Sequence, residues 1–122
     1  MPAQNNEHTV YYDELMKPTI KRHAHFILSL SPIAEDKFEG TLTTRENVVK
    51  AIGQYKKLDK SFIEDGQFVF FYPNGQIESK GEFDHGIKTG NWERYAENGT
   101  RKPDRFYNPE SATLIRQAQG TK

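Results

Sequence analysis

A stretch of this chain repeats itself. With Gly66-Gln67-Phe68 set above Gly90-Asn91-Trp92, a register of 24 residues places Phe71 over Tyr95, Asn74 over Asn98 and Gly75 over Gly99. It continues without a gap, with Phe83 over Tyr107 and Asp84 over Asn108. A fixed period constrains a fold more than local propensity does, because each unit must bury its apolar face against its neighbours. A degraded third copy lies upstream. There Gly53-Gln54-Tyr55 aligns with Gly81-Glu82-Phe83, putting Asn47 over Gly75 and Val49 over Ile77. Tyr55 to Gly66 is a longer step than Phe83 to Gly90, and the charged stretch Lys56-Lys57-Leu58-Asp59-Lys60-Ser61 reads as a loop insertion.

Each unit has the chemistry of a hairpin. Residues 66–72 are rich in aromatic and β-branched side chains that suit a strand. Pro73-Asn74-Gly75 then supplies a tight turn, since Asn and Gly tolerate the positive φ such turns demand. Residues 77–83 form the return strand, in which Gly81 marks a bulge or a place where an aromatic ring lies over bare backbone. Asp84-His85-Gly86 turns the chain again, and Glu97-Asn98-Gly99 repeats the first turn. The expected architecture is a single-layer, twisted antiparallel meander of six to eight strands, ending in a short C-terminal helix.

Composition agrees with a thin sheet. Only 34% of residues are hydrophobic, yet among them are eight Phe, six Tyr and one Trp. Aromatics bury a large area each and suit a pleated, half-exposed surface. Seventeen basic and seventeen acidic residues cancel. That balance speaks against nucleic acid as a partner, because the linear sequence shows no basic stripe. Cysteine is absent, which removes disulfides, thiolate metal sites and cysteine nucleophiles. No apolar run approaches the ~18 residues of a membrane-spanning helix.

The pattern Gly-x-aromatic-x-x-aromatic-x-x-Asn-Gly, followed by Gly-x-aromatic and a turn ending in Gly, resembles the MORN-variant repeat. The cleanest match is Gly90-Asn91-Trp92 through Asn98-Gly99, and the resemblance covers residues 38–108. Such repeats are found in bacterial YwqK-family antitoxins and in N-terminal regions of TonB-like envelope proteins of Bacteroidetes. The resemblance implies a non-catalytic module for protein–protein interaction or scaffolding, placed by that likeness in the periplasm or cell envelope. The cytoplasm is the compartment implied if Met1 is the native start. The alternatives it carries are an antitoxin that neutralises a toxin, and association with a membrane surface, which the neutral charge disfavours. Two positions depart from the pattern: Asn47-Val48 replaces the Asn-Gly turn, and Arg105 stands where Gly81 would recur, marking a terminal cap.

Around the repeats, residues 1–8 read as a disordered start. Residues 9–37 are lead-in strands resembling those that precede such repeats, with Lys17-Pro18 breaking the first strand and Ser31-Pro32 ending the second. Residues 109–122 carry Asn108-Pro109-Glu110, a helix-start signature for a short helix and tail. Homodimerisation through open sheet edges is a further expectation.

Catalytic chemistry finds little purchase. His23 and His25 would share a face of a strand, but they have no third ligand nearby. The carboxylate pairs Asp13-Glu14, Glu35-Asp36 and Glu64-Asp65 fall at expected turns, where water solvates them, and no nucleophile elbow or phosphate loop is present. No catalytic, cofactor or metal residue is assigned. Of the aromatics, Tyr72, Trp92 and Tyr95 are the candidates for a binding surface, and Asn74, Gly75, Gly86, Asn98 and Gly99 are structural turn positions.

Overall fold

Alternating aromatic and polar residues, punctuated by turn residues, make strands that pair with their immediate successors. In the computed structural model, which describes residues 8–108, the strands are β1 (His8–Tyr12), β2 (Phe26–Ala34), β3 (Lys37–Thr44) and β4 (Val49–Leu58). They continue as β5 (Ser61–Phe71), β6 (Ile77–Asp84), β7 (Ile87–Tyr95) and β8 (Arg101–Tyr107). All eight lie in one open antiparallel sheet in chain order. One short 3₁₀ turn, Lys21–His23, interrupts the β1–β2 connection. The expected C-terminal helix lies outside the described residues.

The repeat is legible in the turns at one end of the sheet. The Tyr72 amide donates to the Gln76 carbonyl (2.8 Å), and that of Gly75 to Tyr72 (2.9 Å). Ala96, Gly99 and Thr100 reproduce this 24 residues later at 2.8 and 2.9 Å. The degraded copy does the same with Thr44, Asn47 and Val48. So does Asp13-Glu14-Leu15-Met16-Lys17, where the Asp13 amide reaches the Lys17 carbonyl at 2.8 Å. The lead-in is therefore a fourth copy of the turn, and its fourth residue, Met16, has φ of 62° where the others have Asn47 (70°), Gly75 (91°) and Gly99 (94°). Its capping group has moved, which hid it from the sequence. Asp13 Oδ1 and Thr44 Oγ1 cap from the first turn position, whereas Asn74 and Asn98 cap from the third.

One face of the sheet, here the front, carries the core. Leu28 and Leu30 of β2, Phe38 of β3, Ala51 and Tyr55 of β4, Phe68 of β5 and Trp92 of β7 are buried in one continuous cluster. Rings lie on glycines of adjacent strands. A Cβ on Gly53 would meet the Phe68 ring at 2.4 Å, and one on Gly81 would meet the Trp92 indole at 2.4 Å. Gly81 does both things expected of it, since the β6–β7 register also shifts between Lys80 and Glu82. The back face over β5–β8 carries polar pairs: Gln67 Nε2 donates to Glu82 (2.6 Å), Asn91 to Asp104 (2.7 Å), and Lys80 pairs with Glu93 (3.7 Å).

Several expectations are corrected. The residues read as a loop insertion lengthen a hairpin instead: Lys56 pairs with Ile63, Lys57 with Phe62 and Leu58 with Ser61, leaving Asp59-Lys60 as the turn. The ladder takes them up with a register shift between Gly53 and Tyr55, where Gln54 of β4 faces Asp65, Gly66 and Gln67 of β5. β2 runs through Pro32 to Ala34, because a register shift between Pro32 and Ala34 accommodates a residue that cannot donate to the ladder. β1 starts at His8, within the segment expected to be disordered, and its imidazole packs edge-on against Phe38 at 5.4 Å. Glu64-Asp65 lies inside β5, and His23 ends the 3₁₀ turn instead of sharing a strand face with His25.

Candidate functional site

The front face changes character along the sheet. Between β1 and β5 it is closed by aliphatic and aromatic core; over β5–β8 it opens into a groove of about 380 Å³. Period-2 alternation along β7 sends Lys88, Trp92 and Arg94 to this side, while Asn91 and Glu93 face the back. On β8 an irregularity opposite Trp92 and Arg94 absorbs one extra residue, so Lys102, Arg105 and Tyr107 all reach the groove. Pro103 and Asp104 occupy that irregularity, and its missing amide explains why Pro is tolerated there.

The floor is an aromatic ladder. Phe68 contacts Phe83 at 4.8 Å, Phe83 meets Trp92 edge-on at 5.4 Å, and Trp92 reaches Tyr107 at 6.3 Å. Such pairs add about 0.5–1.5 kcal/mol each beyond area burial. Trp92 is fixed further by its indole N–H, which donates to the carbonyls of Glu82 (3.1 Å) and Thr89 (3.2 Å). Above the floor sits Lys88, its Nζ 4.7 Å from the Trp92 ring centroid and 5.6 Å from those of Phe70 and Tyr107. The Arg105 guanidinium lies 5.3 Å from the Tyr107 ring. Cation–π attraction holds both heads in place while leaving their charge intact.

Charge is thus segregated through the thickness of the sheet. Among the described residues, Lys88, Arg94, Lys102 and Arg105 form no ion pair, and Glu78 is the acid lining the groove with them. Acids gather on the back. Asp104 accepts from Asn91 and from Arg101 (2.8 Å), and those two hydrogen bonds, in that order of effect, hold its carboxyl below the usual range. The neutral linear sequence concealed this surface, since summing charges discards which side of a strand each occupies.

Of the three aromatics singled out from sequence, Trp92 is corrected as a surface residue: it is 1% exposed and belongs to the core, because Gly81 lets it lie flat on β6. Tyr72 lines the groove and donates its hydroxyl to the Tyr95 carbonyl (2.7 Å). The Tyr95 hydroxyl donates to Glu93, away from Tyr72 and Trp92. Asn74 and Asn98 cap their turns, and Gly75, Gly86 and Gly99 have positive φ. Asn74 also donates to the Glu97 carbonyl (3.0 Å), tying one repeat's turn to the next. Sequence reading missed the four cations; alternate-residue inspection of 88–94 finds two, but Lys102 and Arg105 share a face only through the irregularity between them.

Among the described residues, Asp65, Asp84 and His85 form a cluster whose ligand atoms lie within 4.8 Å of one another. They satisfy each other and the turn: His85 Nδ1 is 2.9 Å from Asp84 Oδ1, and the His85 amide donates to Asp65 (3.0 Å). His85 and Gly86 both take positive φ there, as a two-residue hairpin turn requires.

The fold and groove define a class: an open, single-layer sheet of repeated hairpins with a cationic, aromatic-floored face. No family model, curated protein or solved structure matches the chain.

Proposed function

We propose that this chain is a non-catalytic, MORN-like repeat module that binds or scaffolds protein partners through the front face of its last two hairpins. One observation carries the reading: four cations without ion pairs among the described residues stand over a rigid aromatic floor on an open face. On the back of the same hairpins, Lys80, Arg101 and Asp104 are matched locally. Unmatched charge on a pre-organised surface supplies specificity and steering to an encounter. The titratable cluster at Asp65, Asp84 and His85 braces a turn, and its members hydrogen-bond one another, which fits a module better than a reaction centre.

The test is an affinity capture with the intact chain from cytosolic and envelope fractions, run beside Lys102→Gln/Arg105→Gln and the back-face variant Lys80→Gln. A stoichiometric partner retained by wild type and by Lys80→Gln, but lost from the groove variant, supports the reading. A partner set indifferent to the groove substitutions sinks it. Recovery of one small toxic protein would make the module an antitoxin.

A further inference from the structure

We infer that the groove over β5–β8 receives an acidic peptide segment whose carboxylates meet Lys88, Arg94, Lys102 and Arg105. This rests on the reading of the chain as an interaction module and adds the chemistry of the partner. Charge complementarity is the first argument. Glu78 is the acid that lines the groove beside the four cations, so its lining carries a net positive charge. Lys80 and Arg101, by contrast, have carboxylates at 3.7 and 2.8 Å.

Pre-organisation is the second. Lys88 and Arg105 are held over rings, so less side-chain freedom is lost when an anion arrives than for a lysine waving in solvent. The third argument concerns shape. Nucleic-acid bases need open ring faces to stack on. Here Trp92 is 1% exposed, and Lys88 lies over Phe70, Trp92 and Tyr107. The floor therefore presents charge to a ligand, not bare rings, and carboxylates carry the complementary charge without requiring a stacking platform. A groove of about 380 Å³ has room for a few side chains of an extended segment, and none for a folded domain.

The experiment is fluorescence anisotropy with fluorescein-labelled hexaglutamate, against hexaserine and hexalysine of the same label, on the full chain. Hexaglutamate should bind, the other two should not, and affinity should fall with added salt. Lys102→Gln and Arg105→Gln should each weaken binding roughly two- to fivefold, and the pair roughly tenfold. Arg105→Lys should retain most of the affinity, and Lys80→Gln on the back all of it. Binding unchanged in the groove variants overturns the inference, as does equal or tighter binding of a labelled dT hexamer, or full displacement by inorganic phosphate at matched charge. If hexaglutamate fails to bind while the double variant still loses its captured partner, the acidic-peptide inference falls and the interaction module stands. If the captured partner survives the double variant, the module reading falls with it.

Discussion

Gly53 and Gly81 have no left-handed backbone; what matters at both is the missing Cβ, because Phe68 and Trp92 lie where it would be. Gly75 is the opposite case, with φ of 91° and open space around it. The two kinds respond differently to substitution. Gly81→Ala forces the indole off its seat and should cost about 1–3 kcal/mol. Gly75→Ala strains φ alone and should cost about 1 kcal/mol. Gly75→Asn should cost less than Gly75→Ala, since Asn47 holds the same turn position at φ of 70°. Urea unfolding followed by Trp92 fluorescence measures all three, and a Gly81→Ala as mild as Gly75→Asn would refute the ring-on-glycine account. Met16 occupies that turn position with a bulky side chain at φ of 62°. Met16→Gly should therefore raise stability by about 0.5–1 kcal/mol, read from the urea midpoint.

At the scale of the element, successive hairpins are joined by more than their ladder. The Tyr72 hydroxyl bonds the carbonyl of Tyr95 at the end of β7, and the Asn74 amide that of Glu97 in the turn that follows. Tyr72→Phe should cost about 1 kcal/mol. Asn74→Asp keeps the cap to the Gln76 amide while losing the donor to Glu97. Because both bonds tie the same pair of turns, the double variant should cost less than the sum of the singles. A double-mutant cycle by chemical denaturation checks this, and strict additivity would show that the turns move independently. The same scale explains the end of the array. Arg105 stands at the Gly81-equivalent position, 24 residues on, so a further aromatic in repeat register would find a guanidinium held over Tyr107 instead of bare backbone.

Across the whole molecule, the mixed aliphatic and aromatic first half and the aromatic second half form one core, joined where Tyr55 meets Phe68 at 5.1 Å. Burial, and then the Glu64 carboxylate, raise the Tyr55 phenol well above its ordinary value, and the same two causes in the same order raise Tyr12. A group whose folded pKa is raised contributes stability that is complete below its unfolded value, near 10, and is lost as pH rises through the folded value. The urea midpoint should thus fall above about pH 10. Tyr55→Phe should be nearly neutral around pH 7 and should blunt the alkaline loss. Trp92 fluorescence must report the same shift from the far half if the core is continuous; an indifferent Trp92 would divide the sheet into two cooperative units.

The sequence alone determined the meander, because a gapless 24-residue register of glycines, aromatics and Asn-Gly turns repeats one hairpin and leaves little choice of topology. It did not reveal the fourth turn at Asp13–Lys17, since equivalent hydrogen bonds are made there by different side chains. It misread residues 56–61, because a charged stretch extends a strand as readily as it forms a loop once a partner strand lies beside it. The groove itself was decided by tertiary structure alone. Composition counts charges without regard to side, whereas the pleat, the β8 irregularity and the glycine seat of Trp92 decide which cations share a face and which ring is sealed beneath them.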